Sequence, residues 1–229
     1  MDDIITVSIK ASAEDKSISA KMEGDQETIA KFFSGIVPDA IKNGAGILND
    51  NVRYWRFSNQ IKIIEKTQKL IEDSKLEKKF IPLKVLAPII EHSSLEEDPT
   101  VQEKWANMLA NAATGKQEVS PNYAAILNEL SSIEVFILDK IYNNASQETD
   151  YKKRKLIQFD KLQLKNLLKI DEKKSDLIVE NLFRLNLLQT PGSRGASMGN
   201  YPLALRTNEI FEFTTLGYEF VKACRWELI

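Results

Sequence analysis

The sequence is poor in the side chains that build disulfides and metal sites. It contains one cysteine, Cys224, and one histidine, His92, among 229 residues. A single cysteine cannot form an internal disulfide, which is typical of proteins in a reducing cytosol. One Cys and one His also fall short of the several ligands that a zinc site needs. We therefore expect a cytoplasmic protein with no metal ion and no cofactor.

Long apolar runs and a basic amino terminus are also absent. No stretch reaches the roughly 18 apolar residues that predict a transmembrane helix, and the start Met1-Asp2-Asp3 is acidic where a signal peptide is basic. The formal net charge of −2 does not mark the whole chain as a nucleic-acid or membrane binder. The charge is uneven, because residues 151–229 contain 14 Lys and Arg against 9 Asp and Glu. This asymmetry indicates two structural units, or else a chance distribution.

Residues 1–24 are predicted to form a β-hairpin. Residues 4–10 and 17–22 alternate between apolar and polar side chains around a polar stretch. Two strands alone are marginal in water, so this hairpin has to pack on another element or pair with another chain.

The next segment, residues 29–48, changes to helical spacing of its apolar side chains. Gly44 and Gly46 lack the Gly-Lys-Ser/Thr ending of a phosphate-binding loop. We predict that the segment packs as helices, with insertion of an amphipathic helix into a membrane surface as the alternative.

Residues 25–130 as a whole are predicted to form a helical domain. Its longest helix covers about 49–74, and the apolar stripe of that helix includes Trp55 and the polar Asn59. Such a stripe normally faces a core. Further helices are predicted over about 81–90, 101–114 and 120–130.

Two capping-box spacings predict helix starts. Thr100 and Glu103 have this spacing, and so do Ser131 and Glu134. Gly115 is placed to end the helix that follows Thr100.

Residues 131–229 are predicted to form a winged-helix-like domain. A helix over 132–143 and a polar loop over 143–153 are followed by a short strand over 156–159, a helix capped by Asp160, a second helix, a strand, a loop and an alternating strand over 210–214. This is the order found in winged helices. Residues 173–186 would then be the second helix of a helix-turn-helix, and residues 191–208 would be the wing. The predicted fold class is mainly α-helical, with a short amino-terminal β-hairpin and a carboxyl-terminal winged-helix-like unit.

Four segments resemble the abortive infection alpha family, a bacterial domain of unknown function. The segments are 51–59, 94–98, 102–111 and 130–134. The more specific combination is Glu96-Glu97-Asp98 followed by Trp105-Ala-Asn107-x-Leu109. The resemblance extends over about 40–226 and does not include the hairpin. It implies a role in bacterial defence against phage and implies no enzymatic activity.

The acidic motif has a chemical and a structural interpretation. Glu96, Glu97 and Asp98 are carboxylates of the kind that bind a divalent cation or share a proton. Acidic residues just before a helix also favour its dipole and its free amide groups. We adopt this structural interpretation, because acids are common at helix starts.

The other motif residues are also predicted to be structural. Trp105 and Asn107 are two positions apart and cannot share one helix face. We expect Trp105 in the core and Asn107 as a hydrogen-bonding group between helices, and we assign Trp55 and Asn59 to packing as well. His92 has no nucleophile at a fixed spacing, so we predict no catalytic residue.

The basic residues of the carboxyl-terminal part are the candidates for contact with nucleic acid. They are Lys173, Lys174 and Arg184 in the second helix and Arg194 in the wing. Acidic residues on and before the same helix offset these charges, whereas a helix that reads DNA normally has a net positive charge. Binding to protein is therefore at least as well supported as binding to DNA.

The favoured hypothesis is a non-enzymatic defence protein of the abortive-infection type that acts through protein–protein contacts. Its partner is expected to be a second copy of the chain or a protein from the same defence locus, and the residues before 48 are the expected self-association surface. The alternatives are a winged-helix regulator that binds DNA and a membrane-active effector.

Overall fold

The computed structural model describes residues 51–191 and 210–227. The predicted hairpin over 1–24 and the apolar segment over 29–48 lie outside the described residues. Residues 192–208 of the predicted wing, with Arg194, also lie outside them. The side chains of residues 51–55, including Trp55, are not described either.

Within the described residues the chain forms nine helices and three short strands, so the fold is mainly α-helical. The helices are α1 (Asn51–Ser74), α2 (Leu83–Ser93), α3 (Pro99–Thr114), α4 (Tyr123–Asn128), α5 (Ser132–Ala145), α6 (Tyr151–Arg154), α7 (Lys161–Leu168), α8 (Glu172–Arg184) and α9 (Thr215–Ala223). The strands are β1 (Phe159–Asp160), β2 (Leu188–Gln189) and β3 (Ile210–Phe213).

The structure confirms helix ends that the sequence predicts at α5 and α3. At the start of α5, the Ser131 side chain accepts from the backbone N–H of Glu134, and the Glu134 side chain accepts from the backbone N–H of Ser131. Both bonds of the predicted capping box are therefore present. Gly115 follows α3 with a φ of 68°, the left-handed conformation that glycine adopts readily.

Three local predictions are wrong. Thr100 is not the N-cap of α3, because Asp98 takes that position and Pro99 occupies the first turn, where its missing N–H costs nothing. The predicted loop over 143–153 contains the start of α6, whose N–H groups are capped by Asp150. The predicted strand over 156–159 is shorter and begins later, at Phe159–Asp160, because pairing with β3 involves these two residues and not residues 156–158.

The three strands form a small antiparallel sheet in the order β1-β3-β2. Phe159 pairs with Phe211, and Leu188 pairs with Phe213. The central strand β3 therefore pairs with two strands that come earlier in the chain. Helices α7 and α8 lie between β1 and β2, and the undescribed residues lie between β2 and β3. Sheet and helices share one hydrophobic cluster that extends from Ile63 to Cys224.

Helix α3 lies at the centre of this cluster. Twelve of its 16 residues are buried, because α1, α2, α5 and α9 all pack against it. Polar residues of α3 therefore have to find hydrogen-bond partners inside the protein.

Gly217 sets the position of α9 against the end of α8. A Cβ atom at residue 217 would lie 2.0 Å from the backbone oxygen of Leu187. Only glycine allows this approach. The same region is fixed by the hydroxyl of Thr214, which donates to the carbonyl of Asn186 at 2.6 Å and accepts from the N–H of Gly217 at 2.8 Å.

Candidate functional site

The acidic motif between α2 and α3 acts as a helix cap. The Asp98 Oδ1 atom accepts from the backbone N–H groups of Thr100 at 2.8 Å and Val101 at 3.2 Å. Glu96 Oε1 accepts from the N–H of Asp98 at 2.8 Å. Glu97 is exposed. Burial works to raise the pKa of Asp98, but the hydrogen bonds from Val101 and Thr100 outweigh it and lower the pKa below its usual value.

Asn59 joins α1 to the same turn. Its side chain is buried, and Nδ2 donates to the backbone oxygen of Ser94 at 3.3 Å. Gln102 on α3 donates to the backbone oxygen of Glu96 at 2.8 Å. The first and third motif segments are thus connected by hydrogen bonds to the second, which is the turn over residues 94–98.

The third motif segment holds the end of α9. Trp105 has no exposed surface and lies in the core. Asn107 Nδ2 donates to the carbonyl of Cys224 at 3.2 Å. Asn111 Nδ2 donates to the carbonyls of Ala223 and Arg225, both at 2.8 Å. The last carbonyl groups of a helix have no partner within the helix, so these two asparagines cap α9 from a neighbouring helix.

The sequence reasoning missed the role of Asn111. The signal was available, because Asn111 follows Asn107 by four residues and therefore lies on the same face of α3. What the spacing could not reveal is which element this face meets, since Cys224 is more than a hundred residues away in the chain.

The fourth motif segment holds α8 in place. Glu134 Oε1 accepts from Asn181 Nδ2 at 2.6 Å, while Oε2 serves the cap of α5. Glu134 is buried, so both carboxylate oxygens have partners where water is scarce.

An ion-pair network adds to the connection between α3, α5 and the chain end. Lys104 Nζ lies 2.6 Å from Asp139 Oδ2, and Arg225 Nη1 lies 2.9 Å from Asp139 Oδ1. Cys224 lies beside this network, and its burial raises the pKa of the thiol well above the usual value. A thiol in this state is a poor nucleophile.

His92 and its neighbours do not form a nucleophile–base pair. The hydroxyls of Ser93 and Ser94 donate to the carbonyls of Ile90 and Glu91, which are one turn back in α2. Across residues 51–191 and 210–227, no group of three or more His, Cys, Asp and Glu side chains is placed to hold a metal ion.

The candidate residues for nucleic-acid contact are only partly brought together. Lys173 and Lys174 are exposed in the first turn of α8. Arg184, at the far end of α8, lies 2.5 Å from Glu129 Oε2 and also donates to Asn181. One of the three described cations is therefore already paired.

The outward face of α8 carries an apolar residue between charges. Lys173, Leu177, Glu180 and Arg184 follow at helical spacing and are all exposed, opposite the buried Ser175, Ile178, Val179 and Leu182. The Leu177 side chain is 59% exposed. This face has no partner among the described residues other than the contacts of Arg184.

None of the described helices is both long enough and apolar enough to cross a bilayer.

Comparison with known proteins gives one match. The profile of the family described as abortive infection alpha matches residues 56–224. This range includes the second, third and fourth motif segments and the end of the first. No curated protein and no solved structure matches the chain. Since the matched region covers more than half of the sequence, the chain belongs to the abortive infection alpha family.

Proposed function

We propose that this protein is a non-enzymatic component of bacterial antiphage defence that acts in the cytoplasm through protein–protein contacts. Family membership supports the defence role, because abortive infection is the response for which the family is named. The mode of action is supported by the residues that the sequence singled out. Asn59, Asp98, Asn107 and Glu134 are engaged in bonds that hold helices together.

We further propose that residues 131–229 form a winged-helix-like unit, with α8 as the second helix of the helix-turn-helix. The order α5, α6, β1, α7, α8, β2, β3 supports this arrangement, with the four-residue α6 as an addition before β1. The strand order β1-β3-β2 supports it as well, because β3 returns between the two earlier strands. The predicted wing itself lies almost entirely outside the described residues.

The exposed face of α8 is the proposed contact surface. Lys173, Lys174 and Arg184 are offset by Asp171, Glu172, Asp176 and Glu180 in the cap and body of the helix. DNA-reading helices normally have a net positive charge. An exposed leucine between residues of both charges instead fits the mixed apolar and polar composition of protein–protein contact surfaces.

A phage challenge with matched variants tests this proposal. Leu177→Glu places a charge at the centre of the α8 face, and Leu95→Glu makes the same change at a leucine that is 57% exposed on the turn before α3. We expect the Leu177 variant to lose phage protection and the Leu95 variant to keep it. Both sites are exposed, so each change should alter stability by no more than about 0.5 kcal/mol.

Light scattering after size-exclusion chromatography identifies the partner class. If the partner is a second copy, the native chain should be an oligomer and the Leu177 variant a smaller species. If the partner is another protein, the native chain should be a monomer that co-purifies with a product of its own locus. Unchanged plating of every phage tested would count against the defence role, and protection retained by the Leu177 variant would count against the α8 surface.

A further inference from the structure

A short basic helix lies beside the sheet. Lys152, Lys153, Arg154 and Lys155 follow one another in and directly after α6. Lys152 and Lys153 are exposed, whereas Arg154 and Lys155 are half-buried. The nearby Asp150 carboxylate accepts from the N–H groups of residues 152 and 153 as the N-cap of α6. This surface is more basic than the outward face of α8, where acidic residues match the cations.

Two tyrosine rings hold half of this cluster in place. The Arg154 guanidinium lies 4.1 Å from the centre of the Tyr218 ring, and Lys155 Nζ lies 4.6 Å from the centre of the Tyr151 ring. Attraction to the ring faces allows the two cations to stay close together despite their like charge. The hydrogen bond from Lys155 lowers the pKa of the Tyr151 phenol, and the hydrogen bond with Thr215 and the charges of Lys155 and Arg154 lower it further.

The same residues line a shallow depression at the start of α9. Tyr151, Arg154, Lys155, Thr215 and Tyr218 form most of its wall, together with Phe213, Thr214 and Glu219. The Tyr151 and Thr215 hydroxyls lie 3.3 Å apart at its edge. Two cations face one carboxylate here, and the first turn of a helix favours an anion. The depression therefore suits a phosphate group.

We propose that α6 and the first turn of α9 form a binding site for single-stranded nucleic acid. The basic residues contact successive phosphates, and the Tyr151 ring, 48% exposed, supports a base. Cationic grooves combined with aromatic rings are the features by which proteins hold single strands without reading sequence. A four-residue helix is too short to lie along a major groove, so a flexible strand fits this surface better than a duplex.

The test is binding of a fluorescent single-stranded oligonucleotide to the full chain, measured by anisotropy over a range of salt concentrations. Each phosphate contact on a single strand contributes about 0.7 to the slope of log K against log salt. We therefore expect the double variant Lys152→Ala/Lys153→Ala to reduce the slope by about 1.4. The matched variant Lys173→Ala/Lys174→Ala removes the same charge from α8 and should leave the slope unchanged.

Variants at Tyr151 separate stacking from charge. Because base stacking on an aromatic ring contributes about 1–3 kcal/mol, Tyr151→Ala should weaken binding at least about fivefold, and Tyr151→Phe should restore most of the affinity. Circular dichroism controls for folding, which the exposed positions of these side chains should preserve.

Three results would overturn the proposal. The first is no binding of the oligonucleotide at low salt. The second is an equal loss of slope in the α6 and α8 double variants. The third is binding to vesicles of anionic lipid with none to the oligonucleotide, which would assign the basic surface to a membrane. Phage protection that requires Leu177 is a separate measurement, so failure of this proposal leaves the α8 surface untouched.

Discussion

Helices α3 and α8 both carry polar residues that stand out in the sequence, but their surroundings are opposite. Four other helices pack around α3, and the side-chain amides of Asn107 and Asn111 donate hydrogen bonds to the carbonyl groups at the end of α9. Helix α8 buries one face and exposes the other, with Lys173 and Leu177 in solvent. The segment with Trp105 and Asn107, which stands out most in the sequence, therefore belongs to the core of this chain. The exposed face of α8 lies outside the four motif segments.

This difference predicts large losses of stability for changes at buried residues and small losses for changes at exposed ones. The largest loss is expected at Gly217. Gly217→Ala places a Cβ atom 2.0 Å from the Leu187 carbonyl oxygen, so α9 or the end of α8 has to move. We expect a loss of about 3 kcal/mol in the free energy of unfolding, at the upper end for overpacking. Urea denaturation would measure it. Gly115→Ala is the control, because its Cβ would contact only the flexible side chain of Lys79 and a non-glycine residue at its φ of 68° costs about 1–2 kcal/mol.

The next largest effect is expected at Asn111. Asn111→Ala leaves the carbonyls of Ala223 and Arg225 without their donor, and a buried group without a partner costs about 1–3 kcal/mol. Asn107→Ala removes a single bond to Cys224 and should cost about 1 kcal/mol. Equal losses in the two variants would show that Asn111 does not cap α9 as described. Thermal unfolding of both proteins at one pH makes the comparison.

A smaller effect is expected at the start of α5. Ser131→Ala removes the hydroxyl that accepts from the N–H of Glu134 and donates to its carboxylate, and loss of such a cap costs about 1 kcal/mol. Glu134→Gln should keep part of the cap, because an amide oxygen still accepts from the N–H of Ser131. If Ser131→Ala is as stable as the native protein in urea, the capping box does not contribute to folding.

The smallest effect on stability is expected at Glu172, an exposed residue of α8. Hydrogen bonds from Lys161 and Lys165 lower the pKa of this carboxyl to about 2. A lowered pKa in the folded state means that the ion pair stabilises the fold above the unfolded pKa of about 4.3. Its contribution is lost as the pH falls from there through about 2. Because Glu172 is exposed, solvent screening keeps the contribution small.

An NMR titration of the Glu172 side chain would measure this pKa directly. Lys161→Met should raise the midpoint towards the usual value for glutamate. Lys173→Met should not, because the two lysines paired with Glu172 are Lys161 and Lys165. A midpoint near 4.3 in the native protein would contradict the pairing with Lys161 and Lys165.

The sequence predicted local structure well where one residue type has one physical use. The Ser131–Glu134 capping box, the glycine that ends α3 and the Asp160 N-cap of α7 are each formed within a few residues of chain. It failed at Thr100 because Asp98 and Thr100 are both good caps, and only the position of Pro99 in the first turn separates them. Alternation indicated the strand β3, but the sheet order β1-β3-β2 depends on which strands pair in the folded chain.

The sequence by itself determined the helices other than α6, the caps of α5 and α7, the buried position of Trp105 and the family to which the chain belongs. Only the tertiary structure decided that Asn107 and Asn111 close the end of α9, that Glu134 reaches Asn181 and that Arg154 stacks on Tyr218. The physical reason is range. Caps and apolar stripes act between residues one to four positions apart. These contacts instead join residues 47 to 117 positions apart in the chain, so they depend on how whole helices pack.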